Sequence, residues 1–246
     1  MSLIDQIAVW LREYLSEAGA DGFVLGLSGG VDSATTAGLA VRAAGAERVL
    51  GVLMPCHSQE LDAELGQAVA DAFGIAAETV DLTRVYDTMM AALPSCDLRM
   101  ASANVKPRLR MTALYYVAQM RNYLVLGSGN KTERMVGYST KWGDAAADLM
   151  PLGKVYKTQV WEMARELGVP EKVIERPPTA GLWPGQTDEG EMGITYLELD
   201  RVLQALERGD TDDVEPETLA KVKRMIAGSA HKRRMPPMFP LGSVKE

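Results

Sequence analysis

Gly22-Phe23-Val24-Leu25-Gly26-Leu27-Ser28-Gly29-Gly30-Val31-Asp32-Ser33 is the stretch on which the fold turns. The apolar run Gly22 to Leu27 reads as a buried strand, the serine and glycines after it as a tight turn, and the alanine-rich stretch Ser33 to Ala44 as a helix. A strand, loop and helix in that order present backbone N–H groups, two hydroxyls and a positive helix end to whatever occupies the turn, which makes an anion site. The glycines let the backbone approach that anion. Neither the G-x-x-x-x-G-K-[ST] phosphate loop nor the G-x-G-x-x-G dinucleotide fingerprint occurs here. Asp32 would repel a phosphate unless a divalent cation lay between them, and magnesium is commonly held by one or two carboxylates together with phosphate oxygens. The alternative is an ordinary helix start with Asp32 as a favourable acid in its first turn.

Ile4, Ile7, Ala8, Leu11, Tyr14 and Leu15 recur at helical spacing and predict an amphipathic helix ending near Gly19. Downstream, strands are expected at Val49 to Met54 and Glu78 to Leu82, with helices at Leu61 to Phe73 and Val85 to Leu93. Strands alternating with helices imply a parallel sheet. A long helix, Val105 to Arg121, leads to a fourth strand, Tyr123 to Leu126, which ends in Gly127-Ser128-Gly129-Asn130. Ligands of such sheets bind beyond the carboxyl ends of the strands, so both glycine- and serine-rich turns face one expected cleft. Further helices are predicted at Lys157 to Leu167, Tyr196 to Leu206 and Pro216 to Ile226, and Arg176 to Glu191 reads as a long loop of the kind that forms lids. The expected architecture is a doubly wound α/β sheet, Rossmann-like, with helices on both faces. No repeat or linker divides residues 1–246, which are expected to form one domain.

Composition narrows the function. With 47% hydrophobic residues the 246-residue chain can bury a full core. No run of 18 apolar residues occurs, so no membrane span is expected, and two cysteines outside any Cys-x-x-Cys pair argue for a reducing cytoplasm. A net charge of −7 disfavours a nucleic-acid partner. Yet Arg99 to Lys157 carries ten Lys or Arg against three acids, which fits either a local site for a small anionic ligand or a solvated charged face.

The loop Ser28-Gly29-Gly30-Val31-Asp32-Ser33 resembles the signature of the ATP-pyrophosphatase group, whose members adenylate a substrate and release pyrophosphate. Four further segments choose within that group: Asn104-Val105-Lys106-Pro107-Arg108, Gly127-Ser128-Gly129-Asn130-Lys131-Thr132-Glu133, Gly137-Tyr138-Ser139-Thr140-Lys141-Trp142-Gly143-Asp144 through Asp148, and Pro177-Pro178-Thr179 leading to Gly185-Gln186-Thr187-Asp188-Glu189. Together they are similar to the ammonia-dependent NAD synthetases, over nearly the whole chain. The resemblance implies a homodimeric ligase that converts deamido-NAD, ATP and ammonia to NAD, AMP and pyrophosphate through an acyl adenylate.

The resemblance also implies roles for residues. Gly26, Leu27, Ser28, Gly29, Gly30, Val31, Asp32 and Ser33 would hold the ATP phosphates, joined by Ser128, Lys157 and Thr179, with Asp32 and Glu133 as Mg2+ ligands. Arg108, Lys141, Asp148, His231 and Lys232 would contact deamido-NAD. Lys157 would stabilise departing pyrophosphate, and Asp144 would bind ammonium and take its proton, unless Asp144 merely caps the backbone after Gly143. The chain departs from its relatives in Ser128 where many have Thr, in Ala145-Ala146-Ala147 where glycines are common, and in Trp142 at a Tyr or Phe position.

Plainer readings stand beside these. Glu133 could pair on the surface with Lys131 or Arg134, while Lys106 and Arg110 read as ordinary surface. His57 reads as a loop residue, Cys56 and Cys96 as inert, and Trp183 as either a cover or an anchor for its loop. Two other function classes compete. A tRNA-modifying adenylating enzyme would need a basic surface, and a non-catalytic nucleotide module would not need metal-ligand carboxylates.

Overall fold

The computed structural model describes residues 1–183 and 185–239. Its elements run α1 (Leu3–Glu17), β1 (Gly22–Gly26), α2 (Val31–Ala44), β2 (Val49–Leu53), α3 (Glu60–Phe73), β3 (Ala76–Thr79), α4 (Thr83–Ala92), α5 (Arg99–Ala103), α6 (Val105–Arg121), β4 (Tyr123–Val125), α7 (Lys131–Val136), α8 (Lys157–Leu167), α9 (Glu171–Ile174), α10 (Asp188–Met192), α11 (Tyr196–Arg208) and α12 (Pro216–Gly228). A 3₁₀ turn, Ala230–Arg233, follows.

The four strands form one parallel sheet in the order β3-β2-β1-β4. Side chains alternate across it, as a strand's period of two requires. Phe23 and Leu25 pack with α1, α2, α3 and α8, whereas Val24, Leu50 and Val52 pack with Val117 and Ala118 of α6 on the other face. The sheet is therefore covered on both sides, as all-parallel sheets are. A third apolar cluster joins α7, α11 and α12, centred on Leu199, Leu203 and Val222. The chain's course reverses at β1, which sends one connection to β2 and has β4 on its other edge. That arrangement opens a crevice beyond the β1 and β4 carboxyl ends.

Two expectations shift. The strand predicted at Glu78 to Leu82 is found at Ala76–Thr79, although the Val80 and Leu82 N–H groups continue to bond the carbonyls of Leu53 and Pro55 at 2.8 Å. β3 is an edge strand with largely exposed side chains, so it lacks the apolar run that marks a buried one. The loop predicted from Arg176 to Glu191 ends in a short helix, α10, begun by Asp188.

Candidate active site

A cleft of about 500 Å³ lies at the crevice, lined by the β1 loop, the turn after β4, the start of α8 and the segment 176–191. The β1 loop is braced from within. Ser33 Oγ lies 3.0 Å from Ser28 Oγ and donates to the Gly30 carbonyl at 3.0 Å, while the Gly30 N–H reaches Ser28 Oγ at 3.3 Å. Gly29 has φ +73°, and a Cβ there would sit 2.7 Å from the Asp62 carbonyl, so only glycine fits. Gly30 caps α2 without a side-chain hydrogen bond, which leaves the N–H groups of the first turn directed at the cleft.

Asp32, in that first turn, meets residues from two distant elements. Its Oδ1 accepts from Asn130 Nδ2 at 2.8 Å and its Oδ2 accepts from Lys157 Nζ. Asn130 caps α7 as well, with Oδ1 accepting the Glu133 N–H at 3.0 Å. Lys157 Nζ lies 3.3 Å from Glu133 Oε1 and its side chain is 2% exposed. An ammonium at the start of α8 opposes the helix dipole, but Asp200 accepts the Thr158 N–H at 2.9 Å and also bonds Thr132, whose hydroxyl accepts the Lys157 N–H at 2.9 Å. Burial by itself would lower the Lys157 pKa, yet the carboxylates of Asp32 and Glu133 hold it above its ordinary value. Burial, reinforced by the charge of Asp32, pushes Glu133 up to about 7 against the pull of Lys157. The alternative surface pairing of Glu133 with Lys131 or Arg134 is not found: Glu133 pairs with Lys157, and Lys131 with Glu207 at 2.7 Å.

Asp32 and Glu133, brought together by their common neighbour Lys157, are oxygen donors of the kind a hard divalent cation prefers. Among the described residues no group of three or more His, Cys, Asp or Glu gathers as a cage, so a cation here would complete its shell with phosphate and water oxygens.

Beyond Glu133 runs a chain of acids and phenols to which the sequence assigns no role, although Tyr138, Gln186 and Asp188 lie within the segments that carry the resemblance. Glu133 Oε1 and Asp188 Oδ2 lie 3.0 and 2.9 Å from the Tyr196 hydroxyl. Asp188 Oδ1 and Glu191 Oε2 lie 3.0 and 2.8 Å from the Tyr138 hydroxyl, and Gln186 donates to Glu191 at 2.8 Å. Burial raises the Asp188 pKa although Tyr196 and Lys157 oppose it. Their sequence signal was weak, because a buried tyrosine at the start of a helix looks like core.

Of the residues assigned to ATP, Gly26, Leu27, Ser28, Gly30, Val31, Asp32, Ser128, Lys157 and Thr179 line the cleft. Gly29 and Ser33 instead shape the loop. Asp144 and Lys232 line the same cleft. Asp144 opens onto it and accepts the Thr140 N–H at 2.8 Å, closing a turn, while the surrounding walls raise its pKa by desolvation. Lys232 donates to the carbonyls of Gly137 and Ser139 at 2.7 Å, and burial lowers its pKa even though Asp144 pulls the other way.

Lys141 joins Lys232, Trp142 and Arg134 around a second hollow of about 190 Å³. Arg108, Asp148 and His231 line neither space. Arg108 donates to the Lys141 carbonyl at 3.3 Å and so fixes the backbone beside the second hollow. Asp148 accepts the Val125 N–H at 2.8 Å and the Tyr115 hydroxyl at 3.1 Å, which secures the end of β4. His231 is exposed on the 3₁₀ turn.

Lys106 and Arg110 are not ordinary surface. Lys106 is 6% exposed and donates to the Leu182 carbonyl at 2.9 Å, and Arg110 donates to the Met54 carbonyl at 3.0 Å. Helical spacing turns both inward, which charge alone does not reveal. Arg176 bonds Asp62 and reaches the Gly29 carbonyl at 3.4 Å, fixing one root of the segment 176–191. Trp183 stacks with Arg99, whose guanidinium lies 4.2 Å from the ring centre. His57 pairs with Asp87 at 2.6 Å and does not line the cleft, Cys56 is buried and Cys96 exposed.

Comparison with known proteins places this geometry. A protein from Syntrophomonas wolfei named NH(3)-dependent NAD(+) synthetase is 46% identical over 243 residues, covering 96% of this chain and 95% of that protein. Among solved structures, the NMN synthetase of Francisella tularensis superposes with a TM-score of 0.89 at 35% identity, covering 97% of both chains. The NH3-dependent NAD synthetase of Campylobacter jejuni, solved with a nitrate ion, gives 0.84 at 28% identity, covering 97% of this chain and 98% of that one. Residues 3–236 match the family described as NAD synthase, and with relatives this similar over nearly full length, the chain belongs to the NAD synthase family.

Proposed function

We propose that this protein is a ligase that amidates deamido-NAD with ammonia at the expense of ATP, yielding NAD, AMP and pyrophosphate by way of an acyl adenylate. The observation that carries this reading is the meeting of the open α2 N-terminus, the Lys157 ammonium and the Asp32 and Glu133 carboxylates in one cleft. A carboxylate needs a leaving group before ammonia can attack it, and these groups face a polyphosphate whose α-phosphorus can supply one. The N–H groups of the first turn of α2 and the ammonium of Lys157 stabilise the departing pyrophosphate. Asp32 and Glu133 would hold Mg2+, which when bound neutralises phosphate charge.

Lys232, Lys141 and Trp142 provide cationic and aromatic surface for the acid dinucleotide around the second hollow. Arg108, Asp148 and His231 act there as supports or from the rim. Asp144 faces the main cleft and receives the ammonium proton, since only neutral ammonia attacks the carbonyl carbon. The segment 176–191, rooted at Arg176 and Asp188, excludes water from the adenylate. Residues 1–246 work as one synthetase domain in a cytoplasmic homodimer. Among the described residues no helix is long and apolar enough to cross a membrane.

The test is chromatographic. Purified protein with ATP, Mg2+ and deamido-NAD should give equal amounts of NAD, AMP and pyrophosphate with ammonium and none with glutamine. The relative named as an NMN synthetase favours a second reading, in which the mononucleotide acid is the substrate. A kcat/KM higher for that acid than for deamido-NAD would establish it.

A further inference from the structure

We propose that Tyr196 is a positioning residue of the phosphate site, holding Lys157 with its ring and Glu133 with its hydroxyl, and joining both through Asp188 to the segment 176–191. This rests on the reading of the site given above. Tyr196 is the first residue of α11 and is completely buried. Its own placement is over-determined. Thr195 caps the helix, the Tyr196 N–H donates to Glu189 Oε1 at 2.8 Å, and the Trp161 ring stands edge-on at 6.0 Å and 90°.

From that fixed position Tyr196 touches three groups. Its ring centre lies 4.8 Å from Lys157 Nζ, near enough for a desolvated cation–π contact that restrains a long flexible side chain. Its hydroxyl lies 3.0 Å from Glu133 Oε1 and 2.9 Å from Asp188 Oδ2. One hydroxyl has a single proton and can donate to one carboxylate at a time. It therefore stands between the partly buried Glu133 and the buried Asp188, and gives Glu133 a partner besides Lys157. Asp188 is fixed in turn, its N–H donating to the Pro178 carbonyl at 3.0 Å across the base of the 176–191 segment. The tyrosine is thus the single side chain, among the described residues, that bonds both a phosphate-site carboxylate and a root of that segment.

Tyr196→Phe keeps the ring and removes the hydroxyl. Mn2+ binding to the complex with a non-hydrolysable ATP analogue, read by electron paramagnetic resonance, should weaken roughly tenfold, as expected on removing a group that orients a ligand. The Mg2+ concentration for half-maximal turnover should rise by a similar factor, while KM for the acid dinucleotide stays within about twofold, a division that general loosening of the fold would not produce. Without the hydroxyl the Glu133 and Asp188 carboxylates lose the donor between them, so Tyr196→Phe combined with Asp188→Asn is the variant to use if the single one does not fold. It should show the same weakened Mn2+ binding. Wild-type Mn2+ affinity in whichever variant folds overturns the proposal. Absence of NAD formation by the wild-type protein would overturn the substrate reading instead, and the Mn2+ measurement stands apart from it.

Discussion

Asn130 Nδ2 donates to Asp32 Oδ1 at 2.8 Å from a position that is entirely buried. The same amide caps α7 through Oδ1, so one side chain sets the spacing between Asp32 at the start of α2 and Glu133 in α7.

Asn130→Ala removes both bonds. Loss of the cap should cost about 1 kcal/mol of stability, and loss of the carboxylate's orientation should lower kcat/KM for ATP by about 10- to 100-fold. Urea melts and steady-state turnover measure the two separately. Equal kcat/KM in the variant would mean that Asp32 needs no help from Asn130.

The protonation of Glu133 gives the protein free of nucleotide and metal a pH signature. Its pKa rises from 4.5 to about 7 on folding. Between those values the folded chain holds a proton that the unfolded chain has released, so this contribution to stability is complete below about 4.5 and is lost as pH rises through about 7. Glu133→Gln has no such proton to lose. Urea midpoints followed across this window should fall less steeply for the variant, and parallel curves would contradict the burial argument.

Local pattern is legible in a sequence and long-range contact is not. Phe23, Leu25, Leu39 and Val52 sit in uninterrupted apolar or periodic stretches, and their packing requires only that the pattern be buried. The β1 loop was legible because its chemistry is contiguous. The partners of Glu133 were not, because Lys157 and Tyr196 come from positions 24 and 63 residues away, and no local periodicity encodes which residues meet. Lys106 misled for a related reason. Its charge suggests water, but its place on α6 turns it toward the segment 176–191.

That inward turn of Lys106 predicts a leak. Its ammonium, lowered in pKa by burial, holds the Leu182 carbonyl at 2.9 Å and so pins the middle of the segment over the cleft. Lys106→Met preserves the buried stem and removes the hydrogen bond. Water then reaches the adenylate more easily, and AMP should form in excess over NAD, where the wild-type ratio is one to one by stoichiometry. Subtilisin should also cut within 176–191 faster in the variant. A preserved ratio together with unchanged cleavage would show that Lys106 does not restrain the segment.

Asp144 tests the division between the two chemical steps. Its Oδ1 accepts the Thr140 N–H at 2.8 Å, and an asparagine carbonyl can accept the same bond, so Asp144→Asn should leave the turn intact. Adenylation does not use this carboxylate, and exchange of labelled pyrophosphate into ATP should persist within a few-fold of wild type. Amidation does use it, and NAD formation should fall by about 10²–10⁴-fold, the range for a lost general base. Desolvation raises the Asp144 pKa, so the acid-side fall of the wild-type amidation rate should lie at a higher pH than an ordinary aspartate would give. The variant should lack that acid limb. If exchange and amidation decline together, Asp144 is a cap for the Thr140 turn and the ammonium proton leaves by another route.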